Sequence, residues 1–265
     1  MCRLLLLVLT LVFTGWAAHA EEVKDLYRAQ AIVTGTQEPE RTRGFRVGLV
    51  DAVIKLTGDV RLGDSDKLKP LLEHPHPLIE HFEYEDRMKG IPVHDEQGTR
   101  ERPFFLRMQF NAPEMDKALA GLGLHKWGPD RPLLAVWLGV KTAVGDFVLT
   151  KTGGDGYAQR IVITETSERR GIPVLLPDED GGKLGVGFGD IAASNFEKIK
   201  GASAKADGWL CGVLSLTESG YWDISWRLFW QGKSHVWSKR NVTFDVALKD
   251  GLQTSALIFS GNTPM

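Results

Sequence analysis

The stretch that most constrains this 265-residue chain is the run Leu133–Val140 near its middle, Leu-Leu-Ala-Val-Trp-Leu-Gly-Val. The run contains no polar side chain, so both faces of the strand it predicts must be kept from water. Only a sheet that is covered on both sides accommodates such a strand. The segment before it, from Gly121 to Pro132, has the glycines and prolines typical of a helix end and a tight loop. The sequence therefore predicts a central, doubly covered strand.

The first twenty residues have the three-part plan of a secretory signal peptide. Arg3 supplies a positive charge, Leu4–Phe13 is an apolar run, and Ala18-His19-Ala20 is a small-residue exit. A membrane anchor would need about 20 apolar residues, and the polar residues inside this segment fit that poorly. We expect cleavage after Ala20, export of the mature chain, and no membrane span within it.

The cysteine count requires the mature chain to be stabilised by its core. Of the two cysteines, Cys2 lies in the leader and Cys211 in the apolar run Trp209–Leu214. An internal disulfide is therefore excluded, and the surrounding sequence predicts a buried, unreactive thiol rather than a nucleophile. The formal net charge of −2, with 43% hydrophobic and 25% charged residues, is typical of a globular protein. It predicts no basic surface for nucleic acid.

The first half of the mature chain predicts alternating strands and helices around a polar insert. The elements are a strand at Leu26–Val33, a helix at Glu40–Leu56, an insert at 63–98, a strand at Phe104–Phe110 and a helix capped by Asn111. In the first helix the apolar residues recur at helical spacing, which predicts that Asp51 and three arginines lie on the opposite, polar side. Gly58 suits the left-handed exit of that helix.

The second half predicts helices and a three-stranded antiparallel meander. The predicted elements are a helix at Tyr157–Arg170, a short strand at Ile172–Pro177, a helix at Asp190–Ala206, strands at Trp209–Leu216, Trp222–Trp230 and His235–Thr243, and a helix at Val246–Phe259. In the middle strand every second residue points to the same face, and this face carries Trp222, Ile224, Trp226, Leu228 and Trp230. This indole-rich face could line a groove for a sugar or peptide, but such an alternation favours core.

The pattern as a whole predicts an α/β or α+β protein with two small mixed sheets, each covered by helices. We expect an N-terminal subdomain over residues 21–125, which includes the insert, and a C-terminal subdomain over residues 126–265. The second subdomain ends in the β-meander and a C-terminal helix.

Three segments resemble the DUF2066 family of proteobacterial periplasmic proteins. They are Gly123–Leu138, which contains Trp127-Gly128 and Asp130-Arg131-Pro132, then Arg169–Pro177 followed by Asp178 or Asp180, and Ala206-Asp207 before Gly212. The segment Ile54–Asp59 also resembles the family. The resemblance implies a periplasmic protein of Gram-negative bacteria, and it carries over no catalytic residue.

Two local motifs raise the question of a metal or phosphate site. His74 and His76 form a His-x-His pair that His81 or a carboxylate could complete as a zinc-type site, and His94 follows. The competing interpretation is that these histidines are solvated in a loop interrupted by prolines, and this interpretation is favoured. The glycine-rich run from Gly181 to Gly189 lacks the spacing of a dinucleotide or phosphate-binding loop. We therefore predict no bound metal and no cofactor.

The sequence favours a binding protein over an enzyme. The common serine and zinc hydrolase motifs are absent from it. We expect a non-enzymatic accessory protein that binds another envelope protein through a sheet edge or an aromatic groove. The alternative is an enzyme or small-ligand binder with a cleft between the two halves, where Trp127, Asp130, Arg131 and Arg169 would bind the ligand.

Overall fold

The computed structural model describes residues 21–90, 102–178 and 185–262. The predicted leader, His94, Asp180 and the first four residues of the glycine-rich run lie outside the described residues. The strands are β1 (Glu21–Glu22), β2 (Arg28–Thr34), β3 (Ile79–Asp86), β4 (Pro103–Phe110), β5 (Asp130–Arg131), β6 (Leu134–Thr142), β7 (Gly145–Val148), β8 (Val174–Leu175), β9 (Gly208–Leu216), β10 (Trp222–Trp230) and β11 (Lys233–Val242). The α-helices are α1 (Glu40–Thr57), α2 (Lys69–Glu73), α3 (Ala112–Gly121), α4 (Tyr157–Arg170), α5 (Phe188–Ala192), α6 (Phe196–Ala202) and α7 (Phe244–Phe259).

The first sheet has three antiparallel strands in the order β2-β4-β3. One face is covered by α1, which approaches closely because Gly44 and Gly48 have no side chain. A Cβ at Gly44 would lie 2.6 Å from Leu106 and from Val33. The buried side chains of β4 are Leu106, Met108 and Phe110, as the alternation predicts. Gly58 ends α1 with a φ of 71°, which confirms the predicted left-handed exit.

The second sheet is mixed, and β6 lies near its middle. The strand order is β11-β10-β9-β6-β7, with β8 also paired to β6; β6 runs parallel to β8 and β9, and the other pairs are antiparallel. Leu134, Val136 and Leu138 pack on the side that holds α4 and α7. Ala135 and Trp137 pack on the opposite side, with residues of α5 and α6. The prediction of a doubly covered central strand is confirmed, and the architecture is α+β.

The indole of Trp226 lies in the core between β9 and α7. Its exposed fraction is 2%, and its Nε1 donates a hydrogen bond of 3.1 Å to the carbonyl of Ala247. The predicted meander is confirmed by the pairing of β9, β10 and β11. Trp226 on the apolar face of β10 is therefore a core residue and does not line a groove.

Two predictions about local structure are wrong. The segment predicted as one helix at Asp190–Ala206 forms the two short helices α5 and α6, because Ser194 between them has a φ of 51°. The periodicity of α1 places Asp51 on its polar side, yet Asp51 is 5% exposed. Its carboxylate is buried against arginines of α4, which the periodicity of α1 cannot reveal. In the described part of the chain, no helix combines the length and the apolar character needed to cross a membrane.

Candidate functional site

The strand β2 forms one edge of the three-stranded sheet, and its free side is only partly occupied. Tyr27 accepts a hydrogen bond from Phe110, and Gly35 donates one to the carbonyl of Arg102, each at 2.8 Å. In the same register, the odd-numbered residues of β2 bond to β4. The even-numbered residues therefore direct their N–H and C=O groups to the free edge.

Side chains of α1 occupy both ends of this edge. Lys55 Nζ donates to the carbonyl of Arg28 at 2.7 Å, and Arg43 Nη2 donates to the carbonyl of Ile32 at 2.9 Å. The Thr34 N–H donates to Glu40 Oε2 at 3.1 Å, and the Arg28 N–H donates to Asp25. Charged side chains, lysine above all, commonly protect edge strands against pairing with another chain.

Three backbone groups between these side chains have no hydrogen-bond partner in the described part of the chain. They are the N–H and C=O of Gln30 and the N–H of Ile32, to which no hydrogen bond runs from any residue in the described ranges. Both residues are exposed, Ile32 to 49%. We call these groups the open edge of β2. The open edge spans about 7 Å at the usual rise of a strand.

The open edge lies in a broad groove. Val47, Asp51 and Lys55 of α1 and Glu165, Glu168 and Arg169 of α4 line one side of it. The open face of the sheet lines the other side, with Phe105 and Arg107 of β4 and His81 and Glu83 of β3. The groove is therefore built on a strand edge, between a helical wall and a polar sheet face.

Asp51 is the centre of a buried ion-pair cluster at the base of the helical wall. Its Oδ1 accepts a hydrogen bond of 3.0 Å from Arg170 Nη1, and its Oδ2 accepts one of 2.8 Å from Arg169 Nε. The Arg170 side chain is 8% exposed, whereas that of Arg169 is 53% exposed. Burial lowers the pKa of Arg170, although the Asp51 charge opposes this effect. The cluster holds α1 against the end of α4.

Arg131 connects this cluster to the loop before β6, and its side chain has no donor left. Nε donates to the Gly128 carbonyl, Nη1 to the carbonyls of Arg170 and Gly171, and Nη2 to the carbonyls of Lys55 and Trp127, at 2.6–3.5 Å. A guanidinium has five N–H donors, and all five are used. Arg131 is fully buried, so it serves as an internal clamp.

The four residues predicted to bind a ligand are only partly brought together. Trp127 is buried, with the guanidinium of Arg131 lying 3.9 Å from its ring centroid. Arg169 borders the groove and pairs with Asp51. Asp130 is exposed on β5, which pairs with β1. A ligand site at these residues stays a prediction.

The histidines predicted as weak metal candidates are spread over different surfaces. His74 is exposed at the end of α2, and His81 is exposed on β3. The His76 ring packs edge-on against Phe45, 5.0 Å between centroids, with its Nε2 3.2 Å from Thr42 Oγ1. Among the residues with described positions, no three His, Cys, Asp or Glu side chains form a group that could hold a metal ion.

Cys211 lies in the core on β9, as the sequence predicts, and it is 2% exposed. Burial raises the pKa of its thiol to about 12, so the thiolate is not formed at neutral pH. The thiol is an apolar core group.

Sequence reasoning missed the residues that shape the groove. Arg43, Val47, Asp51 and Lys55 follow one another at intervals of four residues, so they form one stripe along α1. Two of these residues reach the backbone of β2, and Asp51 reaches α4. The mixed polar character of this stripe is the signal that could have indicated a helix side facing a strand edge rather than solvent.

The buried amine of Lys55 should make stability depend on pH. Mainly through burial, and also through the charge of Arg131, the pKa of Lys55 falls from 10.5 to about 8. Between these two values the unfolded chain binds more protons than the folded one, so the free energy of unfolding should rise with pH, by at most about 1.4 kcal/mol per pH unit. Urea unfolding at several pH values, compared with Lys55→Met, isolates this contribution. A difference between the two proteins that is flat or falls from pH 8 to 10 would contradict it.

The fold and groove define a class: an α+β protein whose groove is built on the edge of a small antiparallel sheet. Residues 20–128 match the family model described as Domain of unknown function (DUF8605). This span contains the three-stranded sheet and α1. The resemblance to DUF2066 is therefore wrong, because the family that matches is a different one. No curated protein matches the chain.

Proposed function

We propose that the protein is an exported, non-enzymatic binding protein of the cell envelope, which takes up an extended segment of another protein at the open edge of β2. The observation that carries this proposal is a set of three backbone groups at the exposed residues Gln30 and Ile32 that have no partner among the described residues and lie between the side chains of Lys55 and Arg43. An added strand can donate one hydrogen bond there and accept two, which is how strand addition to a sheet edge works.

The alternative of an enzyme or small-ligand binder near Arg131 receives less support. Such a site needs polar groups that converge on open space. All five N–H donors of Arg131 are already used on backbone carbonyls, and Arg170 directs its Nη1 to Asp51. Such contacts are typical of residues that hold secondary-structure elements together, not of residues that bind a ligand.

The strength of the backbone pairing sets a limit on how binding can work. Three backbone hydrogen bonds contribute about 3 kcal/mol at about 1 kcal/mol each. Micromolar binding needs about 8 kcal/mol. Side-chain contacts in the groove must therefore supply most of the affinity, and the open edge mainly fixes the position and direction of the bound segment.

Replacing Ile32 with proline should weaken strand addition at the open edge without unfolding the protein. Proline removes the Ile32 N–H, which points away from β4, and keeps the carbonyl that Arg43 binds. The probes are ten-residue peptides in which Thr and Val alternate, with central Lys, Glu or Ser substitutions. At least one peptide should slow hydrogen exchange of the Gln30 and Ile32 amides, as measured by NMR, and Ile32→Pro should weaken its binding at least about tenfold.

The matched control is Val236→Pro on β11. The two-residue turn at Gln231 and Gly232 pairs Trp230 with Lys233, so the N–H of Val236 points to the free edge of the second sheet. Val236 is also exposed. This variant should bind the peptide as the unaltered protein does. If no peptide in the panel protects the Gln30 and Ile32 amides, the proposed function is wrong.

A further inference from the structure

The charges that line the groove are unevenly paired. Asp25 pairs with Arg28, Asp51 pairs with Arg169, and Arg107 pairs with Glu85. Four lining carboxylates have no ion-pair partner in the described part of the chain: Glu80, Glu83, Glu165 and Glu168. Two lining cations remain: Arg87, which lies over the ring of Phe105, 4.8 Å from its centroid, and Lys55, which binds the carbonyls of Asp25 and Arg28. The unpaired charge of the groove is thus predominantly negative.

Two of these carboxylates belong to the helical wall. Glu165 and Glu168 are three residues apart on α4, so they share one side of the helix, and both are exposed. They line the groove together with Val47 of α1 and the open edge of β2. A strand added at the open edge would therefore turn one of its two faces toward this acidic wall.

The other face of an added strand would lie beside a small apolar part of the polar sheet face, formed by Ile32 and Phe105. Ile32 is the cross-strand neighbour of Phe105 on the open face of the sheet. In an added strand, the residue opposite Ile32 would direct its side chain to the same face as Ile32. An apolar side chain at that position would extend the row formed by Phe105 and Ile32. Its two chain neighbours would point to the helical wall.

From this placement we propose that the bound segment is an extended basic-apolar-basic sequence of another protein. The apolar residue packs beside Ile32, and the two basic residues face Glu165 and Glu168. This inference rests on the proposed function, because it assigns the partner chemistry of the same edge. It explains how the groove can favour one partner over another when the backbone groups alone carry no sequence information.

The test compares three peptides with the central sequences Lys-Val-Lys, Glu-Val-Glu and Lys-Ser-Lys. The Lys-Val-Lys peptide should bind most tightly, and the Glu-Val-Glu peptide about tenfold more weakly, since like charges on the wall repel it. The preference should shrink when salt is raised from about 50 to 500 mM, because exposed charges are screened. Lys-Ser-Lys should lose affinity because it lacks the contact to Ile32.

The decisive variant is the double substitution Glu165→Gln and Glu168→Gln. It should reduce the preference for Lys-Val-Lys over Glu-Val-Glu to about twofold or less, while the Gln30 and Ile32 amides remain protected by the bound peptide. The matched control replaces Glu73 and Glu218, two exposed glutamates outside the groove, and should keep the full preference.

Three results would overturn the inference about a basic partner. None of them excludes that a strand is added at the open edge. The first is equal or tighter binding of the Glu-Val-Glu peptide. The second is an unchanged preference for Lys-Val-Lys over Glu-Val-Glu in the Glu165→Gln, Glu168→Gln variant. Either result would show that the partner segment is not basic. Protection of the two amides in concentrated protein without peptide, lost on dilution and in Ile32→Pro, assigns the edge to a second copy of this chain. Failure of every peptide to protect the amides instead contradicts the proposed function itself.

Discussion

Replacing Trp226 with alanine should lower the free energy of unfolding by about 3–5 kcal/mol, one of the two largest effects we expect in this protein. The indole is 2% exposed, and its ring fills the space between β9 and α7. Removing it leaves a cavity and also leaves the carbonyl of Ala247 without its hydrogen bond. Urea unfolding followed by far-ultraviolet circular dichroism measures the loss without relying on tryptophan fluorescence.

Two glycines make room for this indole, and they provide a second way to test the arrangement. A Cβ at Gly212 would lie 2.2 Å from the Trp226 ring, and a Cβ at Gly251 would lie 2.6 Å from it. Gly212→Ala should therefore destabilise the protein by about 1–3 kcal/mol through overpacking. The same substitution should cost less in the Trp226→Leu background, because the smaller side chain leaves space for the new methyl group.

The control for this prediction is Trp222→Ala at the start of the same strand. Trp222 is half-buried, so its loss should cost clearly less than the loss of Trp226. A Trp226→Ala variant that unfolds within about 1 kcal/mol of the unaltered protein would show that the indole is not a core residue. It would also reopen the interpretation of the β10 face as a binding groove.

The contrast between Trp226 and its two glycines indicates what the sequence can reveal. The alternation in β10 predicts that Trp226 is inside, because strand periodicity depends only on neighbouring residues. The need for Gly212 and Gly251 depends on which strand and helix pack beside that indole. That information is tertiary, so the two glycines have no recognisable local motif. The same reasoning applies to β6, whose apolar run predicts two covered faces but does not identify the covering helices.

The groove was less predictable than the core for a related reason. The open edge exists because β2 lies at the end of the strand order β2-β4-β3 and pairs with β4 on one side. No residue of β2 records this strand order. The buried state of Asp51 likewise depends on arginines 118 and 119 positions away in the chain. Periodicity places Asp51 on a helix side, and only the packing of α4 decides whether that side is in water.

Replacing Asp51 with alanine should lower the free energy of unfolding by about 3–5 kcal/mol, because it leaves the Arg170 guanidinium buried without its counter-charge. Arg170 Nε already has no hydrogen-bond partner among the described residues, so few contacts remain to compensate. The residue also binds Arg169, and the two arginines differ in exposure. This difference allows the contribution of each pair to be measured separately.

A double-mutant cycle separates the buried pair from the exposed one. Arg169→Ala removes a half-exposed partner and should cost about 1 kcal/mol or less. Arg170→Met removes the buried charge, so combining it with Asp51→Ala should recover much of the stability that Asp51→Ala alone loses. If Asp51→Ala were no more destabilising than Arg169→Ala, or if Arg170→Met gave no recovery, Asp51 would not be the counter-charge that holds α1 to α4. The helical wall of the groove would then need another support, such as the hydrogen bonds of Arg131 to the carbonyls of Lys55, Arg170 and Gly171 at the ends of α1 and α4.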